Sequence, residues 1–421
     1  MYWLIEDLEQ LKVFYNSGFK EAFVEVIPFN NFEHPTQNNV SAVYVRPIEA
    51  SKGFMLCSNH SETLGIELRH IEEVLKKFNK LYCRDKKELL HYFPLKSLWD
   101  ISLPPNTYIR PTTQTHDIFY NQHRDNREIN VIIPIVKHYE ICERAYNDLQ
   151  ANIGKDTKYD EFFNTKTSLV YNAIERNGIT INNKVFSEHF YQTDQTKVYT
   201  QYNLKTLTTR PSNRFRGVNY AALNKDNGCR KSFIPENDEL IEIDITAYHP
   251  TISSRLVDYK FPTIDIHGDF AKMYGVSRDK AKELTFKQLY GGIFKEYENL
   301  DFFKKIGGYI KQKWLEFNTQ GYIECDISNY RFEKDSLENM NPQKLFNYVL
   351  QNYETSQNIL IIWDILSILR GKKSKLVLYT YDSFLIDLNN EEQGLVEDVQ
   401  KVFKNYKLNT TIKHGSNYDF R

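Results

Sequence analysis

The sequence is poor in cysteine, and none of the five (Cys57, Cys83, Cys142, Cys229, Cys325) falls in a Cys-x-x-Cys pair. That argues against a zinc ribbon or a disulfide framework and fits a reducing, cytoplasmic compartment. Long apolar runs are missing too. No stretch reaches the ~20 residues of a membrane-spanning helix, so no membrane partner is expected. The start, Met1-Tyr-Trp-Leu-Ile-Glu-Asp, has no basic segment followed by an apolar one, so no signal peptide is expected. Net charge is nearly absent, −1 from 54 Lys+Arg and 55 Asp+Glu. A polyanionic partner must therefore meet a local basic patch rather than a basic whole. Internal repeats and low-complexity tracts are not apparent.

What is present is a chain of 421 residues, long enough for two or three domains with a substantial core. Aromatics make up 14%, with 29 Tyr and 27 Phe. They could stack on bases, but an AT-biased genome also inflates Tyr, Phe, Asn, Lys and Ile, and that cause accounts for most of them.

The stretch Ile241-Glu-Ile-Asp244-Ile-Thr-Ala-Tyr248-His249-Pro250 begins with apolar-acidic alternation, the period of a half-buried strand. Pro250 halts pairing or opens a helix. Asp244 should then sit at the rim of a sheet, where a carboxylate can hold Mg²⁺; the plain alternative is a turn or cap residue. A second stretch, Lys375-Leu-Val-Leu-Tyr379-Thr-Tyr381-Asp382-Ser383-Phe-Leu-Ile-Asp387, reads as a hairpin with Asp382 at its tip. Two strand-borne acids brought together could clamp divalent ions about a transferring phosphoryl group. Between them, Arg278, Lys282, Phe286 and Tyr290 recur every four residues, one stripe of a helix. Two cations followed by two aromatics could grip a triphosphate and then a base. The plain alternative is a solvated amphipathic helix.

Elsewhere, Glu21 to Pro28 and Ser41 to Arg46 read as strands and Ile71 to Phe78 as a helix, which suggests a small α/β domain. Pro104 to Arg127 is polar and turn-rich, a linker. Asn130 to Gln150 reads as a helix, as does Thr167 to Glu175, closed by Asn177-Gly178. Lys205, Arg210, Arg214, Arg216, Lys225, Arg230 and Lys231 form a basic run broken by Asp226 alone, either a solvated loop or a phosphate-contacting one. Residues 263–340 read as mostly helical, interrupted by Gly-Gly at 291–292 and 307–308. Asn341 to Arg370 reads as a helix pair or one bent helix.

In this order the pieces resemble a family A DNA polymerase of the bacterial repair type, over roughly Ser168 to Phe384. Tyr171-Asn-Ala-Ile-Glu-Arg-Asn-Gly-Ile-Thr-Ile is similar to the helix that follows the family's exonuclease domain. Thr208-Thr209-Arg210-Pro-Ser resembles its Thr-Gly-Arg-Leu-Ser primer-template motif, with Thr209 in place of Gly. Arg230-Lys-Ser-Phe-Ile-Pro leads into the first acid strand as in the family. Asp265-Ile-His267 resembles Asp-Ile-His, whose His touches the triphosphate. Arg278, Lys282, Phe286 and Tyr290-Gly291 match the fingers helix, and Gly321-Tyr-Ile-Glu also fits. Tyr381-Asp382-Ser383 stands where the family has His-Asp-Glu. Asn347 and Gln351 match its Asn-x-x-x-Gln helix.

Departures are also visible. His249 replaces the family's Glu at the steric gate against a ribose 2′-OH; its bulk implies deoxynucleotide preference. The run from Asp244 to Ile252 also echoes a family B motif. Ser383 replaces the hairpin's second acid. Only residues 179–209 occupy the place of the long helical thumb, so the thumb is expected to be vestigial and grip on DNA weak. The N-terminal region stands where the family has its proofreading exonuclease, but the first strand offers Glu25 alone, and Asp85, Asp100 and Asp117 lack the right neighbours; a degenerate exonuclease fold or an unrelated α/β module is expected there.

The resemblance implies an α+β right-hand polymerase with an antiparallel palm sheet and helical fingers. The expected division is 1–120 degenerate exonuclease-like α/β domain, 121–204 helical connector with vestigial thumb, 205–262 palm, 263–340 fingers and 341–421 palm. It implies template-directed DNA synthesis without proofreading. Asp244 and Asp382 would hold two Mg²⁺, with Mn²⁺ as substitute, and Lys282 would act as general acid. His249, His267, Arg278, Lys282, Phe286 and Tyr290 would bind the nucleotide. Arg210, Arg230, Asn347, Gln351 and Tyr381 would contact DNA. Primer-template DNA, deoxynucleoside triphosphates and a processivity or replisome partner are the expected partners; compactness suggests a phage or other mobile element. A single-subunit RNA polymerase, a primase-like enzyme, and a non-catalytic DNA-binding protein with the same palm remain open.

Overall fold

The computed structural model describes residues 2–31, 33–102, 130–213 and 218–420. Asp117, Arg214, Arg216 and the expected linker at Pro104 to Arg127 lie outside them. The chain divides into two compact units, Met1–Asn172 and Ala173–Arg421. The division falls inside helix Ser168–Asn177, which ends at Gly178 with φ +63°. Among the described residues no helix is long and apolar enough to cross a membrane.

The first unit is built on a six-stranded sheet in the order Trp3–Ile5, Phe54–Cys57, Val40–Pro47, Glu21–Pro28, Lys80–Cys83, Leu98–Asp100. Strand Val40–Pro47 is buried throughout and antiparallel to both neighbours; the outer pairs are parallel. Alternation sends Val24, Val43 and Leu56 to one face, under helices Leu8–Tyr15, Leu68–Leu75 and Lys86–Tyr92. Phe23, Tyr44 and Met55 go to the other, under helix Ile135–Leu149. That helix starts later than expected. Pro134 disfavours the helical region for the residue before it, so Asn130–Ile132 forms a separate short turn.

Three acids of this unit, Glu25, Asp85 and Asp100, have structural partners. Glu25 is buried and paired to Arg84 Nε at 2.9 Å. Asp85 caps helix Lys86–Tyr92, accepting from the Glu88 amide at 3.0 Å. Asp100 is buried and accepts from the Lys86 and Ser102 amides at 3.1 and 2.9 Å.

The second unit holds a four-stranded antiparallel sheet in the order Lys375–Thr380, Ser383–Leu388, Glu239–Ile245, Thr410–Gly415. In the central strand, Ile241 and Ile243 share a face with Phe384 and Ile386 across the register. Phe384 stacks edge-on against Phe403 of helix Gly394–Asn405, 5.1 Å between centroids. Leu240, Glu242 and Asp244 take the opposite face.

Helix Pro342–Ile368 is one continuous helix of 27 residues, not a pair. Asn341 caps it, accepting from the Lys344 amide at 2.9 Å, and Pro342 stands in its first turn. Helices Ile266–Tyr274 and Asp301–Gln320 pack through Phe270, Tyr274, Phe302 and Phe303, with Phe270 and Phe302 5.2 Å apart, and Thr285 and Gln288 of helix Arg278–Gly291 bond the Tyr274 hydroxyl. Many of the chain's aromatics are therefore core rather than stacking surface. Gly291 and Gly292 do end a helix, with Gly292 at φ +114°. Gly307 and Gly308 do not, because they lie inside Asp301–Gln320. The buried series Phe302, Ile306, Ile310, Phe317 carries that helix past a cost of roughly 1 kcal/mol per glycine. The stretch after it is not helical either: Tyr322–Glu324 and Arg331–Glu333 form a small hairpin.

Candidate active site

Asp244 and Asp382 lie side by side. Asp244 pairs with Ser383 across the sheet, and the Ile245 amide donates to the Asp382 carbonyl at 2.8 Å. Thr380 pairs with Ser383, so Tyr381 and Asp382 form a two-residue tip, with Tyr381 at φ +61°. Asp244 is half-buried. Burial first, then the charges of Asp382 and Glu242, push its carboxyl up to about 6. Asp382 reaches solvent at the tip but is hemmed in by protein. That crowding, and next the charge of Glu354, raises it as well. Ser383 Oγ donates to Glu242 Oε1 at 3.0 Å, and Lys413 Nζ donates to Glu242 Oε2 at 2.6 Å. A buried third carboxylate thus lies two residues before Asp244, on the same face.

Helix Arg278–Gly291 carries the four-residue stripe as expected. Arg278 forks onto Asp265, with Nε and Nη2 at 3.1 and 3.0 Å from Oδ1, in an exposed pair. Lys282 is exposed and makes no ion pair with a described residue. Burial, then the charges of Lys282 and Arg278, hold the His267 imidazole down at about 4, so it is neutral at pH 7. Its Nδ1 is buried with no hydrogen-bond partner. Phe286 and Tyr290 stack nearly parallel, 5.9 Å apart.

Below Tyr290 lies a buried chain of polar groups. The Tyr290 hydroxyl meets His249 Nδ1. His249 Nε2 is 3.0 Å from Glu354 Oε2, and Arg210 Nε is 3.3 Å from the same oxygen. The Arg210 guanidinium lies 3.7 Å over the Tyr381 ring at the hairpin tip. Thr209 has φ +61°, the left-handed region that favours glycine, so the residue standing where the resemblance expects Gly adopts a glycine-like conformation. Its hydroxyl accepts from Asn352 Nδ2 at 2.8 Å. Asn347 Nδ2 donates to the Tyr290 carbonyl at 2.8 Å, and Gln351 Oε1 accepts from Thr208 Oγ1 at 3.0 Å. Arg230 stands apart from this chain of contacts, 4.8 Å over the Tyr418 ring.

Glu354, Glu242 and Asn358 were not among the residues singled out from sequence. Asn358 Nδ2 donates to the Tyr381 carbonyl at 2.7 Å and to the Tyr379 hydroxyl at 2.8 Å. A signal existed: Asn347, Gln351, Glu354 and Asn358 recur at helical spacing, a polar stripe within a largely buried helix.

No protein-family model matches the chain, and no curated protein does. Among solved structures it is similar to the POL domain of Pol1 from M. smegmatis, solved in complex with DNA primer-template and dNTP. The TM-score is 0.74 at 13% identity, and 99% of each chain is covered. The chain therefore has the fold of a bacterial Pol1 polymerase domain.

The raised Asp244 carboxyl has a measurable consequence. A carboxyl whose folded pKa lies above its unfolded value stabilises the protein at low pH and loses that contribution as pH rises. For Asp244 the loss runs between about pH 4 and pH 6. Metal-free Asp244→Asn is expected to match wild type below pH ~4 and to exceed it by about 1–2 kcal/mol above pH ~7, allowing for solvent screening. Denaturant melts across pH read this difference.

Proposed function

We propose that the chain is a template-directed DNA polymerase that adds deoxynucleotides to a primer 3′-OH. The adjacency of Asp244 and Asp382 on paired strands, in a chain with this fold, carries the reading. The donor set fits Mg²⁺, with Mn²⁺ as substitute: two hard oxygen donors stand on adjacent backbone positions, and burial with the negative charge around them (Asp382 and Glu242 for Asp244, Glu354 for Asp382) raises both carboxyls, a cost that a divalent cation relieves. Asp244 and Asp382 would hold a pair of these ions, whose chemistry when bound would be activation of the primer hydroxyl and neutralisation of charge on the leaving pyrophosphate.

The remaining roles fall to side chains. An exposed ion pair such as Arg278–Asp265 is worth little, so Arg278 can exchange Asp265 for a triphosphate at small cost. Lys282 binds the same phosphates and gives a proton to the pyrophosphate. Neutral His267 has a buried nitrogen that a ligand oxygen reaching it would satisfy. Phe286 packs by the sugar, and Tyr290 by the template base. His249, held beneath Tyr290, limits the room for a 2′-hydroxyl. Arg210 and Arg230 contact the backbone with Asn347, Gln351 and Tyr381; base pairing reads the sequence. Closing of helix Arg278–Gly291 on a correct pair assembles the site.

The N-terminal unit is assigned no proofreading, because Glu25, Asp85 and Asp100 are taken up by an ion pair, a helix cap and amide contacts. Residues 179–209, in the thumb's place, contain one short helix, Asn183–His189, so grip on the product duplex is weak.

Extension of a primed single strand, with each nucleotide type and each metal supplied in turn, tests the reading. Wild type is expected to extend with dNTPs and Mg²⁺. Asp244→Ala and Asp382→Ala are expected to reduce extension to background while retaining DNA binding in a mobility-shift assay. Near-normal extension by either variant contradicts the assignment, and preferential ribonucleotide incorporation moves it to an RNA polymerase or primase. With an unlabelled DNA trap, products of one encounter are expected to be short; long products contradict the weak grip.

A further inference from the structure

We propose that Glu354 is a positioning residue for deoxyribose selection, acting through His249. The proposal deepens the polymerase reading and rests on it. Glu354 is 2% exposed, and His249 is 5% exposed. A buried carboxylate is costly, and an apolar residue of similar volume often serves stability as well or better. Stability alone is therefore a weak reason for an acid at this position on the buried face of helix Pro342–Ile368.

What the acid touches suggests a stronger one. His249 is held at both ring nitrogens, from two different elements: Nδ1 meets the Tyr290 hydroxyl, and Nε2 faces Glu354 Oε2 at 3.0 Å. Burial, and then the charge of Glu354, push the Tyr290 phenol above its ordinary range, so it remains neutral. The carboxylate facing Nε2 favours the imidazole proton on that nitrogen, which leaves Nδ1 to accept from the Tyr290 hydroxyl. The Nε2–Glu354 approach is off the line of an aligned hydrogen bond, so the attraction is chiefly electrostatic.

Glu354 thereby fixes both the tautomer and the rotation of the ring. Through His249 it steadies Tyr290, which stacks on Phe286. The ligand that reads this arrangement is the sugar of a nucleoside triphosphate. A His249 ring that cannot swing aside leaves no room for a 2′-hydroxyl; a loose ring does. The same oxygen faces Arg210, whose guanidinium covers Tyr381 beside Asp382. One carboxylate therefore connects the sugar side of the site to the acid hairpin.

The test is single-nucleotide extension by the full chain with dNTP and rNTP supplied separately. The readout is the ratio of kcat/KM for the deoxy over the ribo form. Glu354→Ala is expected to lower that ratio about tenfold or more, and Glu354→Gln, which keeps volume and one acceptor, at least about threefold. His249→Ala lowers the ratio by itself. Adding Glu354→Gln to His249→Ala is expected to change it no further, because the positioning then has nothing to act on.

A folded Glu354 variant with the wild-type ratio overturns the proposal. So does a Glu354→Gln effect that is equal with and without His249, since that marks a general structural role. Should Glu354→Ala fail to fold in a thermal melt, the Glu354→Gln pair decides. A wild-type chain that extends with neither nucleotide is a distinct result, which fails the polymerase reading before any variant is made.

Discussion

A single main-chain contact, the Ile245 amide donating to the Asp382 carbonyl at 2.8 Å, sets what the site can do. It closes a ladder that runs from Glu239 opposite Leu388 to Asp244 opposite Ser383. Side chains along a strand alternate faces, so a slip of one residue would exchange Ile241, Ile243 and Ile245 for Leu240, Glu242 and Asp244. The slipped sheet would bury acids against helix Gly394–Asn405 and turn the isoleucines onto the face that now carries Glu242 and Asp244. Hydrophobic burial of one face thus fixes the place of a carboxylate on the other.

The long helix Pro342–Ile368 transmits that placement. At about 1.5 Å per residue it spans about 40 Å, and its polar stripe meets a different part of the site at each step. Asn347 holds the end of the cationic helix at the Tyr290 carbonyl. Gln351 and Asn352 hold the Thr208-Thr209 turn, Glu354 faces His249 and Arg210, and Asn358 holds the hairpin tip. Each bond contributes on the order of 1 kcal/mol net, but a buried group left without its partner costs about 1–3. The left-handed Thr209 carries strain of about 1–3 kcal/mol, sustained by its bond to Asn352.

Much of this was legible in the sequence, for identifiable reasons. The alternation through Asp244, the two-run pattern around Asp382 and the four-residue stripe from Arg278 to Tyr290 are local signals, and each became the expected element. Gly307-Gly308 misled because glycine's preference is weak against a buried face that runs the length of a helix. Glu354 was missed because its partners are 105 and 144 positions away; pairing over such distances leaves no periodic trace on either side. Glu242 looked like one more acid of an alternating strand, and only the register with Leu385 and Lys413 brings it beside Ser383 and the Lys413 ammonium. The fold itself was reached through motif order, and at 13% identity its likeness to a solved polymerase domain is carried by shape rather than residue matching.

Whether Asp244 and Asp382 hold a divalent cation together is tested most directly by binding of Mn²⁺, followed by electron paramagnetic resonance on the DNA-free protein. Saturable binding is expected, tightening as pH rises through about 6, where Asp244 ionises, and lost in Asp244→Asn and in Asp382→Asn alike. Equal Mn²⁺ binding by wild type and both variants, with no dependence on pH near 6, would contradict the shared site.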